Sequence, residues 1–171
     1  NATATSLYSF PSRSGATMPK KTLTAIDLFC GAGGLSEGFR QAGFTVLAGN
    51  DFDEFAGQTF TATHPDAVFI GGPIQNIPAK QLLKVAGLKR GELDCLIGGP
   101  PCQAFSVYNH QRGMHDERSV LFREYLRIVE GLQPKWVVME NVTGITSVGG
   151  GQAVEEILSG LAEHGYKVET R

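Results

Sequence analysis

Cysteine is scarce. There are three in 171 residues, an odd number with no C-x-x-C pair, which excludes a disulfide framework and a zinc ribbon and suits a reducing compartment. A cysteine with a special role is therefore expected to act as a thiol. Long apolar runs are missing too: none approaches the roughly 20 residues that span a bilayer. The N-terminus also lacks the basic, apolar, small-residue order of a signal peptide, so a cytosolic chain with no membrane contact is expected. Nor is there a surplus of positive charge. Fifteen Lys and Arg against seventeen Asp and Glu leave a formal charge of −2, whereas a protein that grips nucleic acid unaided carries a marked positive excess. What remains is ordinary: 42% apolar and 19% charged residues, enough for one domain with its own core.

Residues 1–21, small and polar with two prolines and no period, read as a flexible leader. From Thr22 onward, strand and helix signals alternate. "TLTAIDLF" is a short β-rich run, and "GLSEGFRQAGF" carries Leu35, Phe39 and Ala42 at helical spacing with Gly43 as a stop. "TVLAGND" reads as a strand, "DEFAGQTFTATH" as a helix closed by Pro65, "AVFI" as a strand and "AKQLLKVAG" as a helix. The strand "DCLIG" then opens into a long loop from Gly98 to about Arg118. The helix "SVLFREYLRIVEGL", the strand "KWVVME", a loop, the helix "AVEEILSGLAEHG" and the start of a last strand "YKVETR" complete the pattern. Such repetition predicts an α/β fold, an open, doubly wound, mostly parallel sheet with helices on both faces. Ligands of such sheets sit beyond the carboxyl ends of the strands, so those ends are where functional residues are sought.

The first strand ends in "DLFCGAGGLSEGF", where Gly31, Gly33 and Gly34 allow a sharp turn and a close approach to a ligand at the start of a helix. Ser36 stands where a dinucleotide fingerprint would place its third glycine, so the turn is of a more general kind. The second strand ends in "GNDFDEF". Asp51, about 20 residues beyond Gly31, is spaced to meet ribose hydroxyls; equally, Asp51 or Asp53 could cap the next helix. The fourth strand ends in "GGPPCQAFS". Two prolines stiffen that exit and set Cys102 among polar Gln103 and Ser106, whereas Cys30 and Cys95 fall in apolar runs and read as inert core. The fifth ends in "WVVMENV", where Glu140 emerges at the same rim, as a proton donor or hydrogen-bonding partner or else as a loop cap.

Taken together, "DLFCGAGG", "GGPPCQAFS" and "MENV", in that order and at those separations, resemble the cytosine-C5 DNA methyltransferases. The likeness runs from about Thr22 to the end of the chain. It implies the S-adenosylmethionine-dependent methyltransferase fold, truncated at its C-terminal end, with S-adenosyl-L-methionine as cofactor. It also implies double-stranded DNA as partner and a bacterial cytoplasmic or nucleoid-associated location. On this resemblance Phe29 packs on the adenine, and the backbone of Gly31, Gly33 and Gly34 cradles the methionine portion. Asp51 stands in for a glutamate that meets the ribose hydroxyls, and Phe52, Ile74 and Leu121 line the pocket. Pro73 replaces an aspartate that usually reads the adenine amino group. Cys102 would be the nucleophile that adds to cytosine C6, the thiol being the most nucleophilic side chain near neutral pH. Glu140 would hold the ring at N3 and its amine. Gln103, Ser106 and Arg118, in a loop that also holds Arg112, would meet the flipped-out base and its DNA.

The same resemblance implies parts that do not follow here: a glutamine-arginine-arginine motif, a target-recognition region and a closing helix. Residues 22–171 are thus expected to form a partial catalytic domain. The chain would be an N-terminal fragment, one subunit of a split enzyme whose second polypeptide carries the C-terminal half, or a non-catalytic cofactor- or DNA-binding relic. A transfer-RNA cytosine methyltransferase is the remaining reading.

Overall fold

A computed structural model of the chain describes residues 22–101, 121–141 and 151–170. In chain order these form β1 (Leu23–Leu28), α1 (Gly34–Gln41), β2 (Phe44–Asp51), α2 (Glu54–Thr63), β3 (Val68–Gly71), a 3₁₀ turn (Ile74–Asn76), α3 (Ala79–Ala86), β4 (Cys95–Gly98), α4 (Leu121–Leu132), β5 (Trp136–Met139) and α5 (Gln152–Glu163). The five strands make one sheet in the order β3-β2-β1-β4-β5, and every pair is parallel. This is the expected doubly wound α/β architecture. The strand order reverses between β1 and β4, and it is at such a reversal that a crevice opens beyond the strand ends.

Each face of the sheet buries its own set of apolar side chains. Ile26, Leu28, Ala48, Ile70 and Leu96 pack under Leu82 of α3, Tyr125, Ile128, Val129 and Leu132 of α4, and Ile157 and Leu161 of α5. The alternate residues Ala25, Val46, Cys95 and Ile97 pack under Phe60 of α2, with Leu35 and Phe39 of α1 beside them. Alternation along the strands and helical spacing along α1 to α5 therefore agree on one double-layered core. Between β1 and β2 the register slips once, with Ala25 opposite Val46 but Ile26 opposite Ala48. The extra residue, Leu47, keeps Asn50 and Asp51 aligned with the end of β1.

Local chemistry sets the helix ends. Gly43 is the stop expected for the first helix: α1 ends at Gln41, and Gly43 turns left-handed at φ 91° with its amide donating to the Arg40 carbonyl at 3.0 Å; Gly87, at φ 67°, ends α3 the same way. The expected last strand over 166–171 does not form among the described residues 166–170. Tyr166 is held by its hydroxyl donating to the Pro134 carbonyl, and with Val168 it leans on the α3–α5 side of the core without joining a ladder. No helix among the described residues is long and apolar enough to cross a membrane.

Tyr125 ties α4 to the two strands that carry the rim. Its fully buried ring places the hydroxyl 3.1 Å from the Leu96 carbonyl and 3.2 Å from the Val138 carbonyl, and burial raises its pKa well above the usual value. Tyr125→Phe removes this donor without changing packing. It is expected to lower the unfolding free energy by about 1 kcal/mol, read as a lower urea midpoint at unchanged slope.

Candidate functional site

Three residues in the left-handed region carry the chain out of β1 and into α1: Phe29 at φ 57°, Gly31 at φ 52° and Gly33 at φ 93°. Phe29 is the unusual member, since a residue with a Cβ occupies this region only when its surroundings hold it there. Two backbone bonds fold the turn over the strand ends: the Cys30 amide donates to the Asn50 carbonyl at 3.0 Å and the Gly33 amide to the Cys30 carbonyl at 2.9 Å. Asp51 adds a third tie. One carboxylate oxygen accepts from the Gly31 amide at 2.8 Å and the other from the Asp53 amide at 2.9 Å. Asp53 is the residue that caps α2, accepting from the amides of Phe55 and Ala56 at 2.8 and 3.2 Å. Of the pair that the sequence offered as helix caps, Asp53 caps α2, and the Asp51 side chain is instead turned to the glycine turn and the Asp53 amide.

Beside this turn lies a cavity of about 290 Å³. Phe29 and Phe52 form one side of it, Pro73, Ile74 and Gln75 another, and Pro101 and Leu121 close it. Four expected pocket residues, Phe29, Phe52, Ile74 and Leu121, are brought together here from four separate stretches of chain. Ile74 is 2% exposed and Phe52 is 72% exposed, so one wall is fixed core and the other stands open to solvent. Asn50 shapes the far side: its amide nitrogen donates to the carbonyls of Ile70 and Gly72 at 2.8 and 3.0 Å and so ties the segment before Pro73 to β2. A slightly larger hollow, about 340 Å³, is lined by Phe44, Thr45 and Val46 at the start of β2, at the other end of the strands.

The rim continues at the ends of β4 and β5. The Glu140 amide donates to the Gly98 carbonyl at 2.9 Å, and the Glu140 carboxyl lies so close to Gly99 that a Cβ there would meet its Oε2 at 3.0 Å. Asn141 donates from its side-chain amide to the Pro100 carbonyl at 3.0 Å. The end of β5 therefore holds the proline segment from one side while β1 pairs with β4 on the other. Cys102, Gln103, Ser106, Arg112 and Arg118 lie outside the described residues. The placed neighbours of Cys102 are Pro101, in the cavity wall, and Pro100, bound to Asn141.

Cys30 and Cys95 are buried, 7% and 3% exposed. Burial pushes the Cys30 thiol up and the Cys95 thiol to about 11, so neither is a nucleophile near neutral pH. Among the described residues no group of three or more His, Cys, Asp or Glu could hold a metal ion.

A glycine-rich turn and an aromatic cavity thus lie at the reversal point of a parallel sheet, next to a carboxylate-bearing strand end, where sheets of this kind place their ligands. The family model for the C-5 cytosine-specific DNA methylases matches residues 23–171, and the chain belongs to that family. Curated relatives agree. Type II methyltransferase M.AgeI of Thalassovita gelatinovora is 41% identical over 147 residues, which are 86% of this chain and 34% of that protein. Type II methyltransferase M.FnuDI of Fusobacterium nucleatum is 39% identical over 143 residues, 84% of this chain and 39% of that protein. The chain thus spans little more than a third of these relatives. Among solved structures, a protein described as a DNA modification methyltransferase encoded within an E. coli prophage superposes with a TM-score of 0.71 at 30% identity, over 83% of this chain and 38% of that one. The Dnmt2 methyltransferase of S. pombe shares the fold, with a TM-score of 0.59 at 17% identity, over 81% of this chain and 40% of that one.

Sequence reasoning passed over two residues beneath the turn. The His64 ring stacks on Phe60 at 4.8 Å between centroids and fills the space that a Cβ on Gly33 would need, 2.5 Å away. Asp27, fully buried at the end of β1, accepts from the Ser36 hydroxyl at 2.6 Å with one oxygen, while its other oxygen has no partner among the described residues. Burial raises its pKa to about 6, against the opposing pull of Ser36. Because that value lies above the ordinary 3.8, the folded chain keeps a proton that the unfolded chain has released between about pH 4 and 6. Stability is therefore expected to fall as pH rises through that window, by roughly 2–3 kcal/mol. Urea titrations at pH 4.5 and 6.5 check the sign, and Asp27→Asn flattens the slope.

Proposed function

We propose that this chain is the cofactor-binding, nucleophile-bearing portion of a DNA cytosine-C5 methyltransferase. The observation that carries the reading is the cavity in which Phe29, Phe52, Ile74 and Leu121 meet, one rim away from Glu140 and the Gly99–Pro101 segment that leads into Cys102. S-adenosyl-L-methionine suits this site, because aromatic walls accept an adenine and the turn leaves its backbone open. A Cβ on Gly31 or Gly34 would meet nothing within 4 Å, so the turn stands open at those two glycines to the methionine portion, while Gly33 lets the turn close over His64. Each Asp51 oxygen holds one amide, and a carboxylate oxygen accepts two hydrogen bonds, which leaves capacity for the ribose hydroxyls. Pro73 offers the adenine amino group no side-chain acceptor; contact there is apolar.

When bound, the cofactor supplies an electrophilic methyl group. Cys102, as thiolate, adds to C6 of a cytosine flipped out of double-stranded DNA and pushes the ring electrons toward C5. Glu140 hydrogen-bonds N3 and the exocyclic amine, which draws charge from C6 and favours that addition. Once C5 carries the methyl group, loss of the C5 proton returns its electron pair to the ring and expels the thiolate. Gln103, Ser106 and Arg118 meet the base and its flanking phosphates. The formal charge of −2 gives little general affinity for phosphate, so DNA binding is assigned largely to a C-terminal portion, in the same chain or in a second polypeptide.

The test is DNA carrying 5-fluorocytosine, from which C5 cannot lose fluorine as it loses a proton, so the adduct persists. With the C-terminal portion of M.AgeI co-expressed and S-adenosyl-L-methionine present, the wild-type chain is expected to form a covalent complex and Cys102→Ser none. Glu140→Gln is expected to slow methyl transfer to ordinary DNA about a hundredfold or more. An adduct that survives Cys102→Ser, or none with the reconstituted enzyme, contradicts the reading. Cofactor binding without any adduct would instead make the chain a binding module, and methyl transfer to transfer RNA but not duplex DNA would redirect the substrate.

A further inference from the structure

Seven described residues line the cavity beside the glycine turn, and six of them are Phe, Pro, Ile or Leu, whose side chains carry no hydrogen-bonding atom. Gln75 is the exception. The backbone acceptors of that wall are already engaged. The Gly72 carbonyl accepts from the Asn50 side chain at 3.0 Å, and the Pro73 carbonyl from the Asn76 amide at 3.0 Å. The Ile74 carbonyl accepts from both the Ile77 amide at 3.0 Å and the Arg127 guanidinium at 2.9 Å, which fills its two lone pairs. The Gln75 carboxamide, by contrast, has no partner among the described residues, and the residue is exposed.

Its backbone is nonetheless fixed. Gln75 is the middle residue of the 3₁₀ turn Ile74–Asn76, between Ile74 and Ile77, which are 2% and 4% exposed. Arg127 of α4 clamps the turn from below, donating to the Ile74 and Ile77 carbonyls at 2.9 and 3.1 Å, while Glu124 accepts from its Nε at 2.7 Å. A free amide on an immobile base keeps the entropic cost of binding low, since only one side chain has to settle.

We propose that Gln75 reads the purine edge of the cofactor in this cavity and so determines its preference for adenine. This rests on the function proposed above and deepens it. A purine seated among these apolar side chains brings an amino group and ring nitrogens out of water, and each one left unpaired is costly. The carboxamide offers an acceptor oxygen and a donor nitrogen side by side. Its oxygen accepts from the 6-amino group and its nitrogen donates to a neighbouring ring nitrogen, the two-bond match that glutamine makes with adenine in base recognition. N1 and N7 lie on either side of the amino group, so the pairing is available from both. No other side chain of the described lining offers either half of it.

The experiment is calorimetric titration of the 171-residue chain with S-adenosyl-L-homocysteine and with its analogue carrying hydrogen in place of the 6-amino group. The wild-type chain is expected to bind the amino compound about tenfold or more tightly than the analogue. Gln75→Leu, at an exposed position, is expected to keep the circular dichroism spectrum and melting profile of the wild type and to bind the two compounds nearly alike. Gln75→Glu retains an acceptor for the amino group and is expected to retain the preference. A side chain that merely supported the turn would weaken both compounds by the same factor, so the ratio separates reading from support. Equal binding of the two by the wild type, an undiminished ratio in Gln75→Leu, or a ratio lost in Gln75→Glu overturns the assignment of Gln75 and leaves the cofactor site standing. Binding of neither compound by the wild type overturns the proposed function along with it.

Discussion

The carboxylate of Asp51 holds the ends of the first two strands to each other, with one oxygen on the Gly31 amide and the other on the Asp53 amide. Much of the candidate site follows from that double bond. Gly31 lies in a left-handed turn between Phe29 and Gly33, and amides there have no ladder to join. Accepting one of them fixes where the turn sits over β2. Accepting the Asp53 amide sets the entry into α2, which Asp53 then caps with its own side chain. Phe52 lies between these two anchored positions, so its exposed ring is aimed at the cavity by backbone on both sides of it.

The same logic recurs across the reversal point of the sheet. Parallel pairing brings the ends of β1, β4 and β5 level, with Leu28 opposite Gly98 and Gly98 opposite Met139. Gly98 is required by that closeness, since a Cβ there would meet the Leu28 carbonyl oxygen at 2.5 Å. The chain beyond it is stiffened by prolines and gripped by Asn141. The glycine turn and the strand end that carries Glu140 thus share one rim because the sheet is parallel and because small residues let its backbones approach.

Most of this was legible in the sequence. Alternating strand and helix signals located every described strand to within a residue or two; of the cavity lining, the strand-end motifs held Phe29 and Pro101, and the family resemblance named Phe52, Ile74 and Leu121. Their clustering was visible because a parallel sheet sends all carboxyl ends to one side. The rest depended on contacts between distant residues. Asp27 sits in the run "TAIDLF" and reads as a strand position; only the fold sets Ser36 beneath it. His64 reads as a helix tail, yet its ring occupies the space beside Gly33. Asn141 was inside a quoted motif, but its bond to Pro100 spans 41 residues. The last strand was misread because alternating apolar residues in "YKVETR" serve packing by Tyr166 and Val168, and a strand also needs an edge to pair with. Trp136 falls in the strand signal "KWVVME", which does not say which face it takes; the sheet leaves it facing out.

The central claim is that this strand-end crevice is a cofactor pocket whose shape Asp51 sets. Calorimetric titration of S-adenosyl-L-methionine into the wild-type chain and into Asp51→Ala tests it most directly. A hydrogen bond to a charged group is worth about 1.5–3 kcal/mol, and about 1.4 kcal/mol is tenfold in affinity. The account therefore predicts one equivalent bound by the wild type and binding at least about tenfold weaker in the folded variant. No binding to the wild type, or equal affinity in the two proteins, would contradict it.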